Sequence, residues 1–183
     1  MAKNVKGVIF LDYARMIKKY KHLDWDKHLE PEDREILSQM ILPSQWYPLE
    51  SYQRMGVAVF HEFANEDVEL VRAWGRTSMD EMLKVYKTLV EEGEPLRTIE
   101  KFKILRSRFF DFEGLEIDPQ PGNRVKVKVD LAFEGVAEEA YALQTLGGFE
   151  RLLELSGAKN IGHKFHKKAW EGDEETIIDL SWE

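Results

Sequence analysis

The chain has 183 residues, of which 43% are hydrophobic and 11% aromatic, so it is long enough to enclose one substantial core and is expected to form one domain over residues 1–183. Its 34 acidic and 26 basic residues give a net charge of −8, which opposes binding to a phosphate backbone, and nucleic acid is not an expected partner. The absence of cysteine excludes disulfides, thiolate nucleophiles and cysteine-ligated metals. No apolar run approaches the roughly 18 residues that span a bilayer, so we expect a cytoplasmic protein without membrane insertion.

The first two thirds of the chain has the periodicity of amphipathic helices. Phe10, Tyr13, Ala14 and Ile17 share one face and predict an opening helix that reaches about Lys21. Later helices are expected to begin at prolines or small polar caps. Their predicted positions are near Pro31, near Pro48, after an N-cap at Asn65, after an N-cap at Ser78 as far as about Glu92, and from about Pro95 to Phe109.

After Phe112 the period changes from about 3.6 to 2. Alternating apolar residues at 125, 127, 129, 131 and 133 predict a half-buried strand, and PQPGN at 119–123 predicts a hairpin with the preceding FEGLEID. A helix from about Val136 to Ser156 and strands at about 161–170 and 176–182 complete the order. The predicted fold is α+β, with an N-terminal helical layer (about 1–110) packed on a C-terminal four-stranded antiparallel sheet (β-β-α-β-β, about 111–183).

The chemistry-bearing residues form no recognisable constellation. His163 and His166 are three residues apart in a predicted strand, so they point to opposite faces; we expect His163 to face the core and His166 to face water. No nucleophile elbow, phosphate-binding loop or zincin motif is present. The sequence therefore predicts no catalytic residue and no metal ligand, and the protein is not expected to be an enzyme.

Two other local patterns are interpreted structurally. The cluster of Lys101, Lys103, Arg106 and Arg108 is interpreted as a solvated basic face rather than a polyanion site. The glycine pair at 147 and 148, inside a helical pattern, is interpreted as close packing against the sheet.

Four segments carry a resemblance to a known family. They are LPSQWYPLESY (42–52), RFFDFEGLEID (108–118), GGFERLLELSGAKN (147–160) and GDEETIIDLSW (172–182). With the element order, they resemble an uncharacterised bacterial family abundant in myxobacteria. That family is distantly similar to the superfamily of haem nitric-oxide-binding domains, 4-vinyl reductase domains and TRAPP vesicle-transport subunits. The resemblance implies helices packed on a twisted antiparallel sheet and transfers no catalytic residue.

The cofactor motifs of that superfamily are missing from the chain. Haem-binding relatives carry a proximal histidine in a helix before the sheet and a Tyr-x-Ser-x-Arg motif, whereas the predicted helix at 95–109 has no histidine and the motif does not occur. Many 4-vinyl-reductase-like domains carry cysteines near the C-terminal strands, where this chain has Ala169 and Thr176. On these grounds no cofactor is predicted, and haem is not expected.

The same resemblance implies an apolar cavity between the helices and the sheet. Its candidate walls are Tyr52, Phe60, Phe63, Phe109 and Phe149. The alternative is a filled core made by these same side chains.

Three functions stay open on this basis. The first is a non-enzymatic regulatory or adaptor domain that acts through a protein surface, as a homodimer or with another protein partner. The second is a sensor that binds an apolar small molecule between helices and sheet. The third and least supported is a metal-dependent enzyme that uses His163 and nearby carboxylates.

Overall fold

The structure is a computed structural model that describes residues 3–131, 133 and 135–183. A largely helical N-terminal part precedes a four-stranded antiparallel sheet, which confirms the predicted α+β fold. The described α-helices and β-strands, in chain order, are β1 (Asn4–Lys6), α1 (Gly7–Lys19), α2 (Pro31–Ser38), β2 (Trp46–Pro48), α3 (Leu49–Ala58), α4 (Val68–Val85), α5 (Pro95–Arg106), β3 (Leu115–Gln120), β4 (Arg124–Val129), α6 (Val136–Leu155), β5 (Gly162–Lys167) and β6 (Thr176–Ser181). Short 3-10 helices lie at Trp25–Lys27 and Ala169–Glu171. One turn of π-helix, Val59–Phe63, extends α3.

Helix α4 differs from its prediction. The sequence predicted two helices, capped by Asn65 and Ser78, but one continuous helix runs from Val68 to Val85. Its N-cap is Asp67, whose carboxylate accepts hydrogen bonds from the backbone N–H groups of Glu69 and Leu70 at 2.9 and 3.2 Å. Serine is only a moderate helix former, and tertiary packing overrides such weak preferences. Ser78 therefore lies inside the helix.

Helices α4 and α6 approach each other until their backbones touch. A Cβ atom added at Gly75 would lie 2.0 Å from the carbonyl oxygen of Gln144, and one added at Gly147 would lie 1.9 Å from that of Arg72. Only glycine fits at these two positions. The interpretation that the glycine pair packs against the sheet is therefore wrong, because α4 occupies that side of α6.

Ion pairs reinforce this crossing. The Arg72 guanidinium donates to both carboxylate oxygens of Glu150, at 2.9 and 2.6 Å. Glu150 is only 5% exposed, so the bidentate geometry compensates for the loss of its hydration. A second contact joins Arg151 of α6 to Asp80 of α4 at 2.7 Å. The two helices are therefore joined both by their backbones and by ion pairs.

The large sheet has the predicted β-β-α-β-β connectivity, with the spatial order β3-β4-β6-β5 and antiparallel pairing throughout. Its inward residues form one core cluster with the apolar residues of α6. Those inward residues are Ile117, Val125, Val127, Val129, Ile178 and Leu180. Two predicted strands extended too far, because β4 ends at Val129 and not near residue 133, and β5 ends at Lys167 and not near residue 170. Ala132, which belongs to the first of these predicted strands, lies outside the described residues.

A second, two-stranded sheet was not predicted. Strand β1 pairs antiparallel with β2, with Val5 opposite Tyr47. Val5 also forms a bridge with Phe110, just after α5. Strands of three residues are too short to show a period in the sequence, so only the tertiary pairing defines them.

The glycine crossing gives a direct test of the fold. Gly147→Ala should lower the free energy of unfolding by roughly 3 kcal/mol, because the new methyl group would meet a carbonyl that cannot move without separating the helices. The neighbouring Gly148→Ala is the matched control, since its methyl would lie 3.3 Å from the flexible tip of Met79. Urea denaturation of both variants measures the difference. Equal stability of the two would contradict the crossing.

Candidate functional site

A cavity of about 100 Å³ lies among helices α1, α3, α4, α5 and α6 and the segment after α5. Apolar side chains make much of its wall, among them Met79, Met82, Phe102, Phe109 and Phe149. Polar groups also line it, namely Asp12, Tyr52, Ser78, Arg106, Tyr141 and Gln144. The space is therefore amphipathic, and it is bounded by helices rather than lying between the helices and the sheet.

The five residues predicted as cavity walls are not all brought together. Tyr52, Phe109 and Phe149 line the cavity. Phe60 belongs to a separate small cluster with Val71, and Phe63 packs beside Tyr20, with the ring centroids 4.9 Å apart. Phe60 and Phe63 lie on the π-helical turn, which shifts the helical register after α3, so the 3.6-residue spacing that joined them to Tyr52 does not hold there.

Asp12 is the acidic group of the cavity. Burial raises the pKa of its carboxyl to about 6; a weak polar interaction with the Ser78 hydroxyl and the positive charge of Arg15 partly oppose that rise, and the negative charge of Glu81 adds to it. Although Ser78 is close to Asp12, its buried Oγ has no partner at hydrogen-bonding distance and angle within the described structure. A buried hydroxyl without a partner is unfavourable unless a ligand or water satisfies it.

Two tyrosines, Tyr13 and Tyr52, lie beside the polar groups of the cavity. The Tyr13 hydroxyl donates to Gln144 Oε1 at 2.6 Å, and the rings of Tyr13 and Tyr52 lie 4.8 Å apart. Burial raises the pKa of both tyrosines well above the usual range. Both hydroxyls therefore keep their protons at neutral pH and can donate hydrogen bonds there.

Arg106, the last residue of α5, is the cationic group of the cavity. It is 8% exposed, it donates a hydrogen bond to the Tyr141 hydroxyl, and its guanidinium lies 4.0 Å from the centre of the Phe110 ring. The interpretation of this residue as part of a solvated basic face is wrong. Its spacing from Ile99, Phe102 and Phe109 places it on the apolar face of α5, and that spacing was the available signal.

The histidines lie elsewhere and have separate partners. His163 Nδ1 lies 3.3 Å from Glu150, with the side chain 30% exposed, so it borders the core instead of facing it. His166 Nε2 contacts Asp179 at 2.7 Å. The rings of His28 and His61 stack 5.2 Å apart, and each pairs with its own glutamate, Glu62 and Glu66. Within the described ranges, no group of three histidine, aspartate or glutamate side chains is placed to hold a metal ion.

Comparison with known proteins defines the fold. No protein-family model matches the chain, and no curated protein matches it. Solved structures do match over 97% of the chain. One is an H-NOX protein from S. oneidensis in the Fe(II)NO ligation state, with 11% identity over 99% of that chain and a TM-score of 0.63.

Two further matches agree with the first. A mutant form of the H-NOX protein from T. tengcongensis has 11% identity, 97% coverage of each chain and a TM-score of 0.61. An oxygen-binding H-NOX domain related to soluble guanylate cyclases, solved as its oxygen complex, has 10% identity, covers 97% of this chain and 95% of its own, and has a TM-score of 0.63. The chain therefore has the H-NOX fold, as the distant resemblance in the sequence implied.

The prediction of no cofactor, with haem not expected, is contradicted by these comparisons. Several solved H-NOX domains share the fold along 97% of this chain, and one of them was solved to probe the function of haem distortion in that family. The prediction relied on two short motifs, whereas the fold depends on helix and sheet packing that persists without them.

The cavity residues can be tested directly for fit to a haem group. The described lining contains no histidine, and about 100 Å³ is well below the roughly 300 Å³ at which pockets begin to enclose drug-sized ligands. With α5 held against α6 by the edge contact of Phe102 with Phe149, at 5.4 Å between centroids, the lining does not fit a porphyrin. The volume of the cavity is enough for a molecule of a few non-hydrogen atoms.

The chain contains no membrane-crossing helix within its described residues, because none of their helices is both long and apolar enough.

The pKa of Asp12 predicts a pH-dependent stability. Since the folded state raises this pKa from 3.8 to about 6, the folded protein binds the proton more tightly than the unfolded chain. The contribution of this group to stability is fully present below pH 3.8 and is lost as the pH rises to about 6. The free energy of unfolding of Asp12→Asn, measured relative to that of the unmodified protein, should therefore increase by up to about 3 kcal/mol as the pH rises from 4 to 7.

Urea denaturation at several pH values measures this difference. Glu35→Gln, which changes a carboxylate on the exposed side of α2, is the control and should show a flat difference. A flat difference for Asp12→Asn as well would mean that its carboxyl is solvated.

Proposed function

We propose that this domain is a non-enzymatic sensor that binds a small molecule in the cavity among its helices. The observation that carries the proposal is an amphipathic cavity whose lining includes the Ser78 hydroxyl, which has no hydrogen-bond partner within the described residues. A ligand with a hydrogen-bonding group would satisfy that hydroxyl, and the apolar wall would accept the rest of it.

The fold comparisons support the same class of function. Two of the matched H-NOX structures are described in their Fe(II)NO state and as an oxygen complex. Both descriptions name a bound small molecule, and we carry over to this chain only the general role of binding one. The comparisons favour a sensor over the adaptor function predicted first from the sequence. A protein partner, including a second copy of this chain, stays a prediction that light scattering can test.

The geometry provides a way for an occupied cavity to be detected. Ser78 and Met79 belong to α4, which is fixed to α6, whereas Phe102 and Arg106 belong to α5. Helix α5 is also tied to the sheet, because Lys103 Nζ donates to the carbonyl of Ile117 at 2.9 Å. A ligand that contacts both walls would favour one position of α5 relative to the α4–α6 pair, and the sheet would follow.

Filling the cavity tests this proposal. In Ser78→Met the longer side chain would occupy the cavity and remove the unpartnered hydroxyl, so the free protein should keep its stability but lose its ligand. Thr77→Met is the matched control, because Thr77 is exposed on the same helix. Native mass spectrometry of protein purified from cells should show an added organic mass on the unmodified protein and on the control only.

The outcome also identifies the ligand class. An added mass of haem with a Soret absorbance band would assign haem and would require α5 to move away from α6. Bare protein in every preparation, and no thermal shift with a library of small molecules, would contradict the sensor function.

A further inference from the structure

The arginines of the described structure differ in how their charge is compensated. Arg54 donates to both oxygens of Asp33, at 2.6 and 2.8 Å, and Arg72 donates to both oxygens of Glu150. Those guanidinium side chains are 29% and 26% exposed. Arg106 is 8% exposed, yet no carboxylate of the described residues lies within 4.0 Å of it. Arg106, the most deeply buried arginine of the described residues, therefore has no counter-charge among them.

Burying the Arg106 guanidinium without a counter-charge lowers the stability of the protein when no ligand is bound. A guanidinium has five N–H donors, and the one hydrogen bond that Arg106 makes within the described structure goes to the neutral Tyr141 hydroxyl. The Phe110 ring covers one face of the guanidinium at 4.0 Å, which helps to orient it. A buried charge is costly unless it is paired. The remaining donors are suited to an anion that comes from outside the chain.

Arg106 also stands where such an anion could arrive. It lines the helical cavity and, on its other side, an open groove of about 850 Å³ between the end of α5, the segment that follows it and strands β3 and β4. A ligand could therefore enter from the groove, leave its charged group at Arg106 and place its apolar part among the cavity walls.

The charges of the groove limit the ligand to a single negative charge. Besides Arg106, its described lining contains two basic and four acidic side chains. They are Lys103, Lys128, Asp111, Glu113, Glu116 and Asp130. Lys128 is already paired with Glu175. A phosphate ester or nucleotide would be repelled by this acidic rim, whereas a monocarboxylate is only weakly opposed.

The cavity limits the length of the apolar part. Its volume is about 100 Å³, and an apolar cavity of about 150 Å³ takes benzene. Roughly four or five carbon atoms would fit between Met79, Phe102 and Phe149.

We propose that the cavity binds a small monocarboxylate with a short apolar chain, whose carboxylate pairs with both terminal nitrogens of Arg106. This ligand class rests on the proposed sensor function and makes it specific. The apolar chain lies along the methionines and phenylalanines of the wall, and a hydrogen-bonding group at its far end would meet the Ser78 hydroxyl.

Calorimetric titration at pH 7.5 with pentanoate and with pentanamide tests the assignment. The two probes have the same length and nearly the same shape, but only pentanoate is charged. Pentanoate should bind the unmodified protein about 10–100-fold more tightly than pentanamide, because only the carboxylate forms charge-assisted hydrogen bonds with the guanidinium. The comparison needs no variant, so it does not depend on a mutant that folds.

Substitutions of Arg106 test whether this residue binds the carboxylate of pentanoate. Arg106→Met should reduce pentanoate affinity to that of pentanamide, and Arg106→Lys should recover only part of the loss because it lacks the planar pair of donors. Arg108→Met is the charge-matched control, since Arg108 is exposed two residues away. Urea denaturation of the free proteins supplies an independent readout: Arg106→Met should be as stable as the unmodified protein or more so.

The possible failures are distinguishable. Equal affinity for pentanoate and pentanamide, or unchanged pentanoate affinity in Arg106→Met, would overturn the carboxylate assignment and leave the sensor function standing. If neither probe binds and protein from cells carries no added mass, the sensor function fails together with its ligand class.

Discussion

The fold depends on the contact between the backbones of α4 and α6. Because Gly75 and Gly147 have no side chain, the two helices lie closer than any other residue would allow at those positions. The buried pair of Arg72 with Glu150 then fixes their rotation. One wall of the cavity continues this contact, since Gly75, Ser78 and Gly148 all line it. The residues that bring the helices together are thus adjacent to those that leave space between them.

The interior treats its ionisable groups in two ways. At the helix contacts, buried carboxylates form bidentate pairs with arginines, as Asp33 does with Arg54. Burial alone would raise the pKa of Asp33, but hydrogen bonds from Arg54 and Ser51 outweigh it, so the pKa is lowered. At the cavity, Asp12 has a raised pKa and Arg106 has no carboxylate among the described residues. Unpaired ionisable groups destabilise a fold, so their concentration at one cavity is typical of a functional site.

The comparison with H-NOX structures separates the fold from the ligand. Identity near 11% with a TM-score of 0.63 means that the packing of helices on the sheet is kept while most side chains differ. A ligand site, in contrast, depends on a few side chains and on the volume they leave. In this chain Phe102 and Phe149 fill space beside α5, and what remains is small and polar at its edges. The comparison therefore shows the fold, and any ligand has to be inferred from the residues that line the cavity.

The sequence by itself determined the class of fold, because periodicity reports which side of each element is buried. The change of period after Phe112 predicted the β-β-α-β-β order, and Pro31 and Pro95 marked helix starts that the structure confirms. Periodicity could not show that Ser78 stays inside α4 or that Gly147 meets α4 instead of the sheet. It places Arg106 on the apolar face of α5, but it could not show that no described carboxylate lies beside the guanidinium. Each of these depends on which helix faces which, and a side chain without a nearby partner can be recognised only when every neighbour is in place. Tertiary packing therefore decided the site: residues from five helices meet there, and no short stretch of sequence contains more than a few of them.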